Sequence, residues 1–162
     1  MKSQSLSICL WFEKEAEEAV NYYTSIFKNS EVGSVSRFGE EGKEFHKMPV
    51  DAVMSMNFRV NNIEFLALNS RSKFQFNDSI SIMVNCDTQE EIDHYWDALT
   101  KEGEEGVCGW LKDKYGVSWQ ILPTILSQFL ADNDASKSQK VMNACMQMKK
   151  FDIKTLQQAY NQ

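Results

Sequence analysis

Apolar and polar residues alternate strictly at the start of the chain. In LSICLWF (residues 6–12), Ile8, Leu10 and Phe12 share one face while Ser7, Cys9 and Trp11 share the other, which predicts a half-buried strand. The period then changes. From Lys14 to Lys28, Ala16, Ala19, Val20, Tyr23, Ile26 and Phe27 recur at the spacing of a helix with one buried flank. A second strand is expected over Glu31–Phe38, then a polar loop over Gly39–Pro49, rich in charge and glycine and closed by proline. Met54, Met56, Phe58 and Val60 alternate with Ser55, Asn57 and Arg59. Asn61-Asn62 tolerates the positive φ of a tight turn, and Ile63–Asn69 returns as the partner strand. Residues 1–70 therefore read as a first β-α-β-β-β module.

After a polar linker over Asn69–Asp78 the pattern restarts, with Ile80, Ile82 and Val84 repeating the alternation of Ile8, Leu10 and Phe12. Thr88 followed by Glu91 has the spacing of a capping box and predicts a helix start. A shift of 73 residues then lays Ala19, Tyr22, Tyr23 and Ile26 onto Ile92, Tyr95, Trp96 and Leu99, and Glu17-Glu18 onto Glu90-Glu91. This is an internal duplication, and it defines a second βαβββ-like module over 79–123. Its last two strands flank a tight turn at Lys114-Tyr115-Gly116, and the second of them carries Gln120 in an apolar run. Beyond Pro123 the period is helical over Ile125–Leu130, Lys140–Met148 and Ile153–Tyr160, with breaks at Asp132-Asn133-Asp134 and Asp152. Residues 124–162 form a C-terminal helical extension, and the whole is expected to be one structural domain of α+β class. Val141, Met142, Cys145 and Met148 make an apolar stripe suited to packing against the sheet or a second subunit.

Composition narrows the function classes. A net charge of −6 over 162 residues, with lysines scattered apart from Lys149-Lys150, argues against a nucleic-acid groove. Cys9, Cys86, Cys108 and Cys145 fall at no metal-ligand spacing and include no CxxC pair, so buried, reduced thiols are expected. MKSQSLSICLWF lacks the apolar run and cleavage site of a secretory signal, and no stretch has membrane-spanning length; a cytoplasmic protein with no membrane partner is expected.

Five blocks carry a resemblance to a known family: CLWFEKEAEEAVNYYTSIF (Cys9–Phe27), FLALN (Phe65–Asn69), ISIMVNCDTQEEIDHYW (Ile80–Trp96), CGWLKDKYGVSWQILPT (Cys108–Thr124) and KVMNACMQMKKFDIKTLQQAY (Lys140–Tyr160). A duplicated βαβββ unit bearing them resembles the vicinal oxygen chelate superfamily of glyoxalase I and bleomycin-resistance proteins. Within it, the chain resembles the PhnB-like family, also named the 3-demethylubiquinone-9 3-methyltransferase domain. The resemblance implies a curved, cleft-enclosing sheet built from both modules and a homodimer. It also implies metal ligands on the first and last strand of each module. By motif these positions fall on Ser7 and Ala67, then Ser79 and Gln120. The first three cannot hold a divalent ion at neutral pH and Gln120 alone is a weak ligand, so no cofactor or divalent metal is expected. The methyltransferase name finds no support in a nucleotide-binding turn. Gly103-x-x-Gly106-x-x-Gly109 follows a helix instead of opening one, and Glu104-Glu105 would repel an anion.

With the apolar strand faces packed beneath the helices, Ser7, Cys9, Trp11, Ser79, Ser81, Met83, Asn85, Ser118 and Gln120 are expected to line the cleft, with Asn69 and Trp110 at its rim. No carboxylate pair, Ser-His-Asp set or Cys-His pair converges on them, and the histidines His46 and His94 lie elsewhere. The expected function is binding of a small polar or aromatic molecule in a metal-free cleft. The alternatives are an enzyme of the superfamily (isomerase, lyase, dioxygenase or the methyltransferase of the family name) and an assembly protein acting through its C-terminal helices.

Overall fold

The alternation at the start of the chain forms strand β1 (Ser7–Phe12), which buries Leu10 and Phe12 and leaves Ser7, Cys9 and Trp11 exposed. The computed structural model describes residues 6–71 and 74–162, and the chain divides into two compact units, Met1–Phe74 and Gln75–Gln162. In the first unit β1 is followed by helix α1 (Ala16–Ile26), strand β2 (Ser30–Arg37), a one-turn helix α2 (Lys43–His46), and strands β3 (Val53–Val60) and β4 (Ile63–Asn69). The strands form one mixed sheet in the order β1-β4-β3-β2, with β1 parallel to β4 and the other pairs antiparallel. Asn61 takes φ 52° in the β3–β4 turn, the backbone state for which Asn-Asn is suited. The loop expected over Gly39–Pro49 contains α2. Four residues are too few to show a period, so the pattern could not reveal it.

Helix α1 buries Ala16, Ala19, Val20, Tyr23 and Ile26 on the sheet, each large side chain stabilising the unit by about 1.5–3 kcal/mol. Tyr23 stacks on Phe58 with centroids 6.0 Å apart, and Phe58 stacks on Phe65 at 4.9 Å. No side chain of its own N-cap, Glu15, closes the start of α1. Asn69 does this from β4: its Oδ1 accepts from Ala16 N at 2.9 Å while its Nδ2 donates to Val53 O at 2.9 Å, with the residue 4% exposed. One amide thereby ties together a helix start and two strands. Asn69→Ala strands a buried N–H and a buried C=O and is expected to cost about 2 kcal/mol in urea unfolding.

The second unit repeats the topology. Strand β5 (Ile82–Cys86), helix α3 (Gln89–Thr100) and strands β6 (Glu104–Glu105), β7 (Trp110–Lys112) and β8 (Ser118–Pro123) form a sheet in the order β5-β8-β7-β6, again with its first and last strands parallel. The Thr88–Glu91 capping box is present at the start of α3. The duplication holds in burial as well as in sequence: Ala19 and Ile92, Tyr23 and Trp96, and Ile26 and Leu99 are buried pairs, while Tyr22 and Tyr95 are both half-buried. The strand expected at Ile80 starts two residues later. Ile80 is 78% exposed in the preceding turn, and Ile82, Val84 and Cys86 take the places of Ile8, Leu10 and Phe12. A slip of two residues preserves the facing of every side chain, so the pattern alone cannot detect it.

Helices α4 (Ile125–Leu130), α5 (Ala135–Met146) and α6 (Ile153–Asn161) complete this unit. Helix α5 begins before the expected Lys140, because Asp134 accepts from Ser136 N while Ser136–Gln139 contributes no apolar stripe. Of the stripe on α5, Val141 and Cys145 are buried, and Met142 stays exposed. The tail braces the second module through backbone and charge. Cys108 N donates to Met148 O and Gly109 N to Lys149 O, both at 2.8 Å, and Gln89 bonds Phe151 O and Ile153 N. Lys150 pairs with Asp93 (2.8 Å) and Asp97 (3.3 Å) on α3, and Lys149 with Glu105 (3.2 Å). Lys149-Lys150 is thus a clamp rather than a free basic patch. No helix among the described residues is long and apolar enough to cross a membrane.

Candidate functional site

Alternation along β8 sorts its residues onto two faces. Trp119 and Ile121 are buried on the side where α3 packs, so Ser118, Gln120 and Leu122 lie on the opposite, open side. The ladders align Gln120 with Met83 on β5 and with Trp110 on β7, which makes a row of thioether, amide and indole across the sheet. Met83 is exposed, and Gln120 and Trp110 are half-buried. Gln120 Nε2 donates to Ser81 Oγ at 2.7 Å, while Oε1 has no partner among the described residues. That oxygen is a fixed, neutral acceptor beside an aromatic wall.

Trp110 also lines a cavity of about 520 Å³ with Asp78, Glu104, Glu105, Val107 and Lys112. Ser118 Oγ donates to Asp78 Oδ1 at 2.8 Å, and this bond, with Lys112 Nζ at 3.3 Å, holds the Asp78 carboxyl below the usual range. Glu105 is held low in the same way, first by Trp96 Nε1 at 3.2 Å and then by Lys149. Ionised carboxylates around a cavity disfavour an anionic guest and suit a neutral or cationic one bearing hydrogen-bond donors. The alternation marked Gln120 and Met83 but not Asp78, Glu104 or Lys112; Glu104-Glu105 gave only the signal of anion repulsion.

Some expected site residues are placed elsewhere. Ser118 is 2% exposed and roofed by residues 77–78, so it positions Asp78 and offers nothing to a ligand. Ser79 precedes β5 in a turn, its N–H bonded to Asn77 Oδ1 at 2.9 Å; the structure therefore corrects its assignment to a strand face. Ser81, also ahead of β5, is half-buried against Gln120. Asn69 is not at a rim: it is buried beneath α1 with both ends of its amide engaged. The signal was present, since Asn69 continues the buried series Phe65, Ala67 along β4.

On the first sheet Ser7, Cys9 and Trp11 do share the open side, level with Glu64, Leu66 and Leu68. Trp11 meets Phe74 edge-on at 5.2 Å. Burial raises the Cys9 thiol despite its exposure, so it is a poor nucleophile, and its exposure corrects the expectation that all four thiols are buried. The alignment of Ala67 with a metal-ligand position also fails. Ala67 is fully buried on the helix side, and the open-side residue level with Cys9 is Leu66. Glu64 does reach that side but faces Arg59 at 3.8 Å. Among the described residues no group of three or more His, Cys, Asp or Glu side chains could hold a metal ion.

The glycine set is equally far from a nucleotide turn. Gly103 follows α3, and a Cβ there would lie 2.1 Å from Lys112 O; Gly106 faces Trp110 O at 2.8 Å in the same sense. These glycines permit close strand packing.

The sequence model of the family described as 3-demethylubiquinone-9 3-methyltransferase matches residues 4–122. The match ends inside β8, so it is shorter than the near-complete resemblance read from the sequence and leaves out the three C-terminal helices. No curated protein matches the chain. Among solved structures, the PhnB protein from Bacillus cereus is 37% identical, with a TM-score of 0.67 over 75% of this chain and 100% of its own. A protein from Pseudomonas aeruginosa (20% identity, TM-score 0.59, 74% of this chain and 98% of that one) shares the fold. So does the fosfomycin resistance protein FosX from Listeria monocytogenes (14% identity, TM-score 0.53, 79% and 98%).

Proposed function

From its membership of the 3-demethylubiquinone-9 3-methyltransferase family, the PhnB-like branch of the vicinal oxygen chelate superfamily to which this chain belongs, we propose that it binds a small, flat, donor-bearing organic molecule without a metal. The observation that carries the reading is the Met83–Gln120–Trp110 row, an anchored neutral acceptor between two soft apolar surfaces, beside an acidic cavity of about 520 Å³. Gln120 cannot exchange a proton near neutral pH, so its role is to orient. A ligand O–H or N–H would bond Oε1 while the ring lies against Trp110, and the ionised Asp78 and Glu105 would exclude carboxylates and phosphates.

Amide NMR on the labelled chain, titrated with benzamide, salicylamide and catechol, tests this. Saturable shifts are expected at Met83, Trp110 and the Gln120 side chain, with Gln120→Ala weakening binding about tenfold, the worth of one good hydrogen bond. Benzoate should bind more weakly than benzamide. A saturable Zn²⁺, Ni²⁺ or Mn²⁺ effect that Gln120→Ala abolishes would replace this reading with a metal-dependent one.

A further inference from the structure

A pair of sulfur atoms, from Cys108 and Met146, is used by nothing described so far. Cys108 Sγ sits 3.6 Å from Met146 Sδ and 3.4 Å from the carbonyl oxygen of Cys145. The placement is constrained by the backbone. Cys108 holds φ 56°, a left-handed state uncommon for a residue with a Cβ, and its N–H is fixed to Met148 O at 2.8 Å. Gly109 N to Lys149 O repeats the tie one residue on. The segment before β7 and the C-terminal end of α5 are thereby locked in register, with a thiol from one against a thioether from the other. Met146 is 59% exposed and Cys108 half-buried, so one side of the pair opens to solvent.

We propose that Cys108 and Met146 form a binding site for a soft monovalent metal ion, Cu(I). Thiolate and thioether together select such an ion over Mg²⁺, Ca²⁺ or Mn²⁺, which require oxygen ligands. The spacing suits one ion: with metal–sulfur bonds of about 2.3 Å, sulfurs 3.6 Å apart subtend roughly 100° at the metal. The exposed Met146 side chain can widen this toward a trigonal angle, and the solvent side leaves a third position for an exchangeable ligand. Binding replaces the Cys108 thiol proton by Cu⁺ and releases one H⁺, with no change of oxidation state. The site does not depend on the ligand-binding reading of Gln120.

The reduced full-length chain, titrated anaerobically with Cu(I) against a bicinchoninate competitor, should take up one ion. Cys108→Ser should abolish that equivalent, and Met146→Leu, an exposed and nearly isosteric change, should weaken it by about tenfold or more. Ag(I), titrated into the chain labelled at methionine methyls, should shift the Met146 methyl resonance in the same one-to-one ratio. No uptake, an equivalent that survives in Cys108→Ser, or unchanged affinity in Met146→Leu would each overturn the proposal.

Discussion

Replacing Asp113 by alanine is expected to lower the stability of the chain by about 3–5 kcal/mol, the cost of stranding several buried donors at once. Asp113 is 3% exposed at the end of β7. Its Oδ1 accepts from Tyr115 N (2.9 Å) and Val117 N (3.1 Å), and its Oδ2 accepts from Trp119 Nε1 at 2.8 Å. The backbone closes the same loop: Asp113 N donates to Val117 O at 3.0 Å and Gly116 N to Asp113 O at 2.9 Å. One carboxylate therefore shapes the β7–β8 turn and fixes the indole of Trp119, whose neighbours on β8 present Gln120. Asp113→Asn keeps an oxygen for the turn amides and turns its NH₂ toward Trp119, so it should lose about half as much. Urea midpoints of the two variants, and of each combined with Trp119→Phe, measure the coupling directly. If Asp113→Ala were no worse than Asp113→Asn, the turn amides would not depend on this side chain.

Asp113 also shows where the sequence falls silent. An Asp two residues before Tyr115-Gly116 announces a turn, and the turn is there. Nothing local says that the carboxylate is buried, because its third partner, Trp119, returns from the next strand. The same holds for Ser118, whose facing follows from alternation but whose burial comes from Asn77 and Asp78 reaching across the strand end. What was legible was whatever a period encodes: both modules, both long helices, the exposure of Ser7, Cys9, Trp11 and Met83, and the alignment of Gln120 opposite Trp119 and Ile121. The misplaced residues fall at strand ends. Ser79 and Ile80 continue a pattern past the point where the ladder begins, and Asn69 carries a polar side chain on a buried face because a helix start needs it there. Polar residues in buried phase at a strand terminus are better read as caps than as ligands for a cleft.

Gly109→Ala is expected to be nearly as costly, and for a separable reason. Gly109 holds φ 79°, where an L side chain costs about 1–2 kcal/mol. The added Cβ would also lie 2.6 Å from Ile121 O and 2.7 Å from the Phe151 ring. The carbonyl cannot yield, since Ile121 N donates to Gly109 O at 2.8 Å and holds the two segments together. Phe151 is 2% exposed where the tail docks, so displacing it loosens the brace that α5 and α6 make. Overpacking of this kind adds about 1–3 kcal/mol, giving a total of about 2–5 kcal/mol. Gly116 supplies the comparison: it holds φ 83° but has open space where a Cβ would go. Gly116→Ala should therefore show the backbone part alone, about 1–2 kcal/mol. In Gly109→Ala, proteolysis within 135–162 should also accelerate ahead of global unfolding, as expected when the tail detaches before the sheet melts. Equal losses in the two alanine variants would mean that the packing of β8 and Phe151 around Gly109 contributes nothing.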